Sequence, residues 1–371
     1  MMKFIPSKIY LLLTVSLIGC GATASKTSEV PSNNQQDQNV AAKKPVIPAD
    51  KFDLSHWKIT LPLDANNDGK IDEVSVRRIQ RYQHPDFFYL NENQEMVFTV
   101  PNKAKTTSGS SNTRSELRQM IRGKDKKIKT HAPGNNFGLK VNADSEHVGG
   151  KLNATVKVNH VAKRAGHVNK RPAYSVVVGQ IHATKDKKIV AKGEGFGWGN
   201  EPIKIYYKKW PNHDKGSVFW NYERNLTKED PNRTDIAYPV WGNTWENSAD
   251  PGSEGIALGE AFSYEINVYE NIMYLTFTTA NHESVNYQID LSNNIDANGK
   301  VDNKDHPKGY SGDMLYFKAG AYNQCSTKDT DGDWYTACPG TGVWATDKAN
   351  GDYTSVAFSA LTLSPSTPPM K

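Results

Sequence analysis

Long helical periodicity is almost absent from this sequence. Apart from EVSVRRIQRY near residue 78, which suits one short helix, apolar residues do not recur at the spacing of a helix face. That excludes a helical bundle and a parallel sheet with crossover helices. There is no internal repeat and no strong excess of charge. The formal charge is +5, and +3 once Lys3 and Lys8 are set aside with the leader described below. So mild a balance identifies no partner and counts against nucleic acid. Cysteine is scarce, with three in 371 residues. The single prominent apolar run lies in the first residues and is too short and too early for a spanning helix.

That run, in MMKFIPSKIYLLLTVSLIGC, reads as an export signal. Leu17-Ile18-Gly19-Cys20 has the shape of a bacterial lipobox, in which cleavage leaves Cys20 as a lipidated N-terminus. Residues 21 to 50 contain no aromatic residue and are rich in Ser, Thr, Asn, Gln, Ala and Pro. Such a stretch buries too little apolar surface to offset its chain entropy, and reads as a flexible tether. The expected organisation is therefore a signal over 1–19, lipidated Cys20 and tether over 20–50, and one folded domain over 51–371. It describes an exported lipoprotein held at a membrane, the outer one, through its N-terminal lipid alone; a soluble secreted protein is the alternative. The two remaining cysteines, Cys325 and Cys338, are expected to form one disulfide in an exported chain.

The rest of the chain abounds in short alternating or β-branched runs such as HWKITLP, EMVFTVP, KLNATVKVNHV and YTSVAFSALTLSP, separated by turn residues. The expected class is all-β, an antiparallel sandwich or barrel with one curved sheet face open as a groove.

Four strands share a habit. In LYFKAGAYNQC, Phe317, Ala319 and Ala321 turn one way, while Tyr316, Lys318, Gly320, Tyr322 and Gln324 turn the other. SNTRSELRQM places Arg114, Glu116 and Arg118 on one face. YSVVVGQIHA places Gln180 and His182 together, and IKIYYKKW does so for Lys204, Tyr206 and Lys208. Any one of these alone reads as an ordinary exposed strand or ion-pair ladder. Together they form a polar face of cations, amides and phenols with little acid beyond Glu116, backed by apolar residues. Such a groove suits a chain of negatively charged sugars, with Arg and Lys for carboxylates and Tyr for sugar faces. A nucleic-acid groove also mixes cations and rings, and a sugar-binding module without catalysis would keep both. A glycoside hydrolase requires two carboxylates flanking the bond, and no strand carries a closely spaced pair of acids.

RSELR (114–118), QIH (180–182) and YFKAGAYNQ (316–324) resemble, in order, the three signature motifs of alginate lyases of polysaccharide lyase family 7. HWKITLP and FSALTLSP resemble the family's opening and closing strands. The resemblance implies a β-jelly roll of two antiparallel sheets, and a monomer that cleaves alginate by β-elimination with no cofactor or metal. It carries the catalytic roles onto Arg114, Gln180, His182 and Tyr322, without saying which arginine of RSELR lies nearest the cleaved bond. Glu116, Arg118, Lys204, Tyr206, Lys208, Tyr316, Lys318 and Gln324 are implied to bind substrate or support the site. Tyr322 would be the acid, and also the base for mannuronate, with Lys318 and the arginines favouring its anion. Neutral His182 would be the base for guluronate, and QIH is associated with guluronate-containing blocks. Two departures are expected to alter the groove ends: a long segment from Asn225 to Phe262, and the excursion CSTKDTDGDWYTAC. Asp329, Asp331 and Asp333 in that excursion are the calcium candidates. DANNDGKIDEVS has calcium-loop spacing but Ser75 where the bidentate Glu belongs. Turn formation is the plainer reading of both.

Overall fold

The computed structural model describes residues 46–164, 172–327 and 336–369. Cys20, the stretch read as the signal, most of the tether and Asp329, Asp331 and Asp333 lie outside the described residues. Ile47 and Pro48, read from sequence as tether, are buried, so packing starts a few residues before 51.

Two antiparallel sheets face one another, as the jelly-roll expectation requires. The sheet that carries the four polar faces runs, from one edge, through Asp235–Trp241, Lys215–Glu223, Ile203–Lys208, Ser175–Ala183, Leu315–Ser326, Asn112–Gln119, Trp57–Thr60 and Glu73–Val74. The second sheet runs through Val285–Asp290, Ile272–Thr279, Ala261–Tyr269, Gly150–His160, Tyr353–Ser364, Met96–Pro101 and Phe88–Leu90. A parallel pairing occurs where Thr336–Ala337 joins Leu315–Ser326, beside the Cys325–Cys338 disulfide. The helix expected near residue 78 is a single turn, Val76–Ile79.

Alternation explains the layers. In Gly150–His160 the buried residues Leu152, Ala154, Val156 and Val158 alternate with half-exposed partners, so that strand has one wet face. From the polar-faced sheet, Leu117, Ile181, Ile203, Ile205, Phe317 and Ala319 join the core, meeting Phe98, Tyr264 and Phe358 of the other sheet. Phe98 and Phe358 pack edge to face with centroids 5.5 Å apart. The Asn112–Gln119 strand differs, because all eight of its residues are buried, polar and apolar faces alike. The polar face is thus the floor of a deep surface, not an exposed sheet.

Two glycines set the geometry of that floor. Gly320, at φ +143°, lies opposite Glu116, and a Cβ there would come 2.6 Å from the Ser115 carbonyl oxygen. At Gly179 a Cβ would meet the Tyr264 ring at 2.6 Å, and the Tyr264 hydroxyl donates to Val178 O at 3.1 Å. Register slips between Val177 and Gly179 on this strand. The slip lets Val177 and Gln180, three positions apart, share the groove face: Val177 packs with Tyr206, and Gln180 reaches Glu116.

Long turns lie outside the strands. In the 64–72 loop the carboxylates serve its own backbone: Asp64 accepts from Gly69 N at 3.1 Å and Asp68 from Lys70 N at 2.8 Å. The long segment after Asn225 supplies the edge strand Asp235–Trp241, and its Trp245 packs at 4.9 Å on Tyr206.

Gly179→Ala is expected to force Tyr264 aside and lower stability by about 1–3 kcal/mol. Gly109→Ala, with open space around it, should stay within about 0.5 kcal/mol of the parent. Urea unfolding of the two variants beside the parent checks both.

Candidate active site

Four neighbouring strands bring the predicted residues into register. Lys204, Gln180, Lys318 and Arg118 are successive Cα partners across the sheet, and Tyr206, Val177, Tyr322 and Arg114 form a second row. Between the rows lies Glu116, opposite Gly320. Its carboxylate, 2% exposed, receives Lys318 Nζ, Gln180 Nε2 and, at 3.2 Å, Arg114 Nη1. Burial alone would raise this carboxyl, but the charges of Lys318 and Arg114 hold it below its ordinary value. Burial pulls Lys318 down to about 8, against the carboxylate and with the like charge of Arg114. At neutral pH the ion pair is intact.

The geometry separates the two arginines. Arg114 lies with its guanidinium 4.0 Å over the Tyr322 ring, and its Nε has no partner within the protein. Arg118 is tied down: it donates to Gln119 O, Thr130 O and Asn136 Oδ1, the last two at 3.0 and 2.7 Å, and covers Tyr316 at 3.9 Å. Arg114 therefore stands beside Tyr322 with a buried, unpaired Nε, and Arg118 anchors the 130–136 turn. The Tyr322 hydroxyl lies 3.2 Å from Ser110 Oγ. Burial raises the Tyr322 phenol although the Arg114 charge opposes it. Arg114 thus favours the anion as expected, but burial outweighs it. Lys318 Nζ is 5.6 Å from the ring centroid and turned to Glu116. Tyr322 is a phenol, equipped to donate.

His182 stacks on Tyr316 at 5.3 Å and 10°. Its Nδ1 donates to Ala183 O at 2.6 Å, and its Nε2 lies 3.0 Å from Glu201 Oε1. Both ring nitrogens of His182 therefore face protein oxygens.

The remaining candidates are deeper than alternation implies. Lys204 was expected to grip a sugar carboxylate, yet it stands among Asp235, Glu201 and Glu223, at 3.0, 3.4 and 3.8 Å. Tyr206 offers no open ring face, being 2% exposed and packed parallel to Phe219 at 5.2 Å, with Trp245 edge-on. Lys208 lies two pairs beyond, opposite Ser175; it donates to Ala173 O and lies 4.0 Å over Trp210. Burial pulls it down to about 7. Gln324 Nε2 turns back to Tyr322 O at 3.3 Å.

Sequence reasoning missed Glu201, Glu223 and Asp235. Glu201 comes from the turn before Ile203, where no periodicity flags it. Glu223 had a readable signal, because SVFWNYE alternates Phe219, Asn221 and Glu223 against Val218, Trp220 and Tyr222.

Residues 52–365 match the family model described as alginate lyase. An alginate lyase of Klebsiella pneumoniae is 36% identical over 297 residues, 76% of this chain and 86% of that protein. The solved structure of the exolytic PL7 alginate lyase from Zobellia galactanivorans superposes with a TM-score of 0.69 at 36% identity, covering 87% of this chain and 99% of that one. The crystal structure of a Klebsiella pneumoniae alginate lyase gives 0.65 at 30% identity, covering 86% and 99%.

Glu116 yields a stability prediction whose sign is fixed by its lowered carboxyl. A carboxyl held lower in the folded chain stabilises at every pH above its unfolded value, and that contribution fades as pH falls through the folded value. Glu116→Gln leaves Lys318 and Arg114 buried without their counterion and should lose about 3–5 kcal/mol at neutral pH. The gap from the parent should narrow on acidification below ~4.3. Denaturant unfolding across a pH series measures it.

Proposed function

The chain belongs to the alginate lyases of polysaccharide lyase family 7, enzymes that cut alginate by β-elimination and leave unsaturated uronate ends; on that premise we propose that Arg114, Gln180, His182 and Tyr322 are its catalytic groups. The observation that carries the reading is Arg114 stacked on the Tyr322 ring with its Nε unpartnered.

The reaction removes the C5 proton of a uronate and breaks the bond from C4 to the leaving oxygen. Beside an ionised carboxylate this is hard, because negative charge gathers on groups already negative. Arg114 and a hydrogen of Gln180 Nε2 meet that carboxylate and stabilise the charge as it develops. Glu116 holds both donors by hydrogen bonds and so fixes their orientation. Tyr322, kept as a phenol by burial, protonates the leaving oxygen. Tyr316 and Arg118 buttress His182 and the turn behind it. Guluronate-containing blocks are included among the substrates on the strength of the QIH motif.

The chain is further proposed to be an exported lipoprotein, lipidated at Cys20 and carrying its lyase domain on a tether. LIGC and the composition of residues 21–45 support this. Cys20→Ser should leave the protein unlipidated and in the soluble fraction, as read by mass spectrometry and fractionation. Unchanged membrane association of the variant refutes the anchor.

Tyr322→Phe keeps the ring under Arg114 and removes the proton donor. Formation of unsaturated ends, followed by ultraviolet absorbance on separated mannuronate, guluronate and mixed blocks, should fall roughly 10²–10⁴-fold on each. Near-parental rates would reduce Tyr322 to a packing residue.

A further inference from the structure

Both ring nitrogens of His182 are occupied. Nδ1 lies 2.6 Å from Ala183 O, and a carbonyl only accepts, so Nδ1 carries a hydrogen. Nε2 lies 3.0 Å from Glu201 Oε1, an approach that places a second hydrogen between them. With Tyr316 flat against the ring, turning the imidazole would forfeit all three contacts.

Glu201 is firmly built in. It follows Asn200, a wholly buried amide that donates to Asn225 Oδ1 at 3.0 Å and accepts from Arg233 Nε at 2.8 Å. Pro202 restricts the chain behind it, and the Glu201 N–H donates to Glu223 Oε2 at 2.9 Å. Lys204 faces its other oxygen at 3.4 Å, with Asp235 on the far side of Lys204 and Arg233 2.7 Å from Glu223. Burial works against a charge here, yet Lys204 and His182 hold the Glu201 carboxyl well below its ordinary range. Burial pushes Glu223 well above its own, Lys204 opposing and Glu201 assisting.

We propose that Glu201 is a positioning and specificity-determining residue: by holding Nε2 of His182 it fixes the imidazole in the groove and withholds that nitrogen as a base. The proposal rests on the catalytic reading above. It bears on the two uronate epimers differently. In mannuronate the C5 proton and the leaving oxygen lie on one side, where Tyr322, once it has lost its own proton to water, takes the C5 proton and passes it to the leaving oxygen. In guluronate the proton lies on the opposite side, where His182 is the available base. There Nε2 must first pass its hydrogen to Glu201 before taking the C5 proton. The C5–H electron pair becomes the C4=C5 double bond, and the C4–oxygen bond breaks. The oxygen leaves with that bond's pair and receives the Tyr322 phenolic proton. The proton gained by His182 is later released to water, and Tyr322 is reprotonated from water. Glu201 therefore weights the site toward mannuronate.

Glu201→Gln preserves shape and can donate to Nε2 instead of drawing its hydrogen. In ¹⁵N-labelled protein at neutral pH, with the His182 signals identified by their loss in His182→Ala, the parent should show both ring nitrogens protonated. The Gln variant should show an unprotonated Nε2. Its ratio of kcat/KM on guluronate over mannuronate blocks should rise roughly tenfold, the lower range for a hydrogen bond to a charged group. An unprotonated Nε2 in the parent overturns the proposal, as does an unchanged ratio in a folded Glu201→Gln protein. If that variant does not fold, the parent spectrum alone decides. Failure of the catalytic reading shows itself separately, as parental rates in Tyr322→Phe, whereas the nitrogen spectrum judges Glu201 without any turnover.

Discussion

The groove floor depends on one buried carboxylate. Glu116 is 2% exposed and charged, a state that is costly unless donors surround it. Those donors arrive from three strands: Arg114 from its own, Lys318 from one neighbour and Gln180 from the next. Removing any of them exposes a desolvated charge, so the three strands must hold their register for the fold to be stable. The same requirement fixes Arg114 and Gln180 relative to Tyr322. Stability and preorganisation come from a single contact set.

The core face of the sheet is arranged to permit this. Gly320 lets the Leu315–Ser326 strand approach Glu116, and Gly179 makes room for Tyr264 from the opposite sheet. Past Tyr322 the strand is pinned again: Asn323, fully buried, donates to Asn102 Oδ1 at 3.0 Å and accepts from Thr354 Oγ1 at 3.2 Å. The Cys325–Cys338 bond follows immediately. Tyr322 thus stands between two fixed points on one strand, which suits the acid role proposed for its hydroxyl.

Much of this was legible in the residues. Period-two alternation assigned Arg114 and Glu116 to one face and Leu117 to the core, and it paired Tyr316, Lys318 and Tyr322 correctly. What alternation conveys is direction, not depth. Lys204, Tyr206 and Lys208 do point to the groove side, but acids and rings from distant segments cover them. Those covers, Glu201, Asp235, Trp245 and Trp210, come from turns and an edge strand whose placement depends on long-range pairing. For Tyr322 the pull of Arg114 on the phenol was legible, but the burial that outweighs it was not, because no local pattern reports burial. The slip at Gly179 was equally hidden, although without it Gln180 would not share a face with Val177.

Lys318 is neutralised by Glu116, Lys204 by the acids around it, and Lys208 is pulled down to about 7. Most of the floor's cations are therefore already compensated from within. Seen from a distance, the groove exerts a weaker field than its composition suggests, and long-range attraction of a polyanion scales with uncompensated charge. The arginines are the exceptions: Arg114 shares its one carboxylate with Lys318, and Arg118 donates to uncharged oxygens. A polyanion is therefore steered toward this face by fewer charges than its lysines and arginines number.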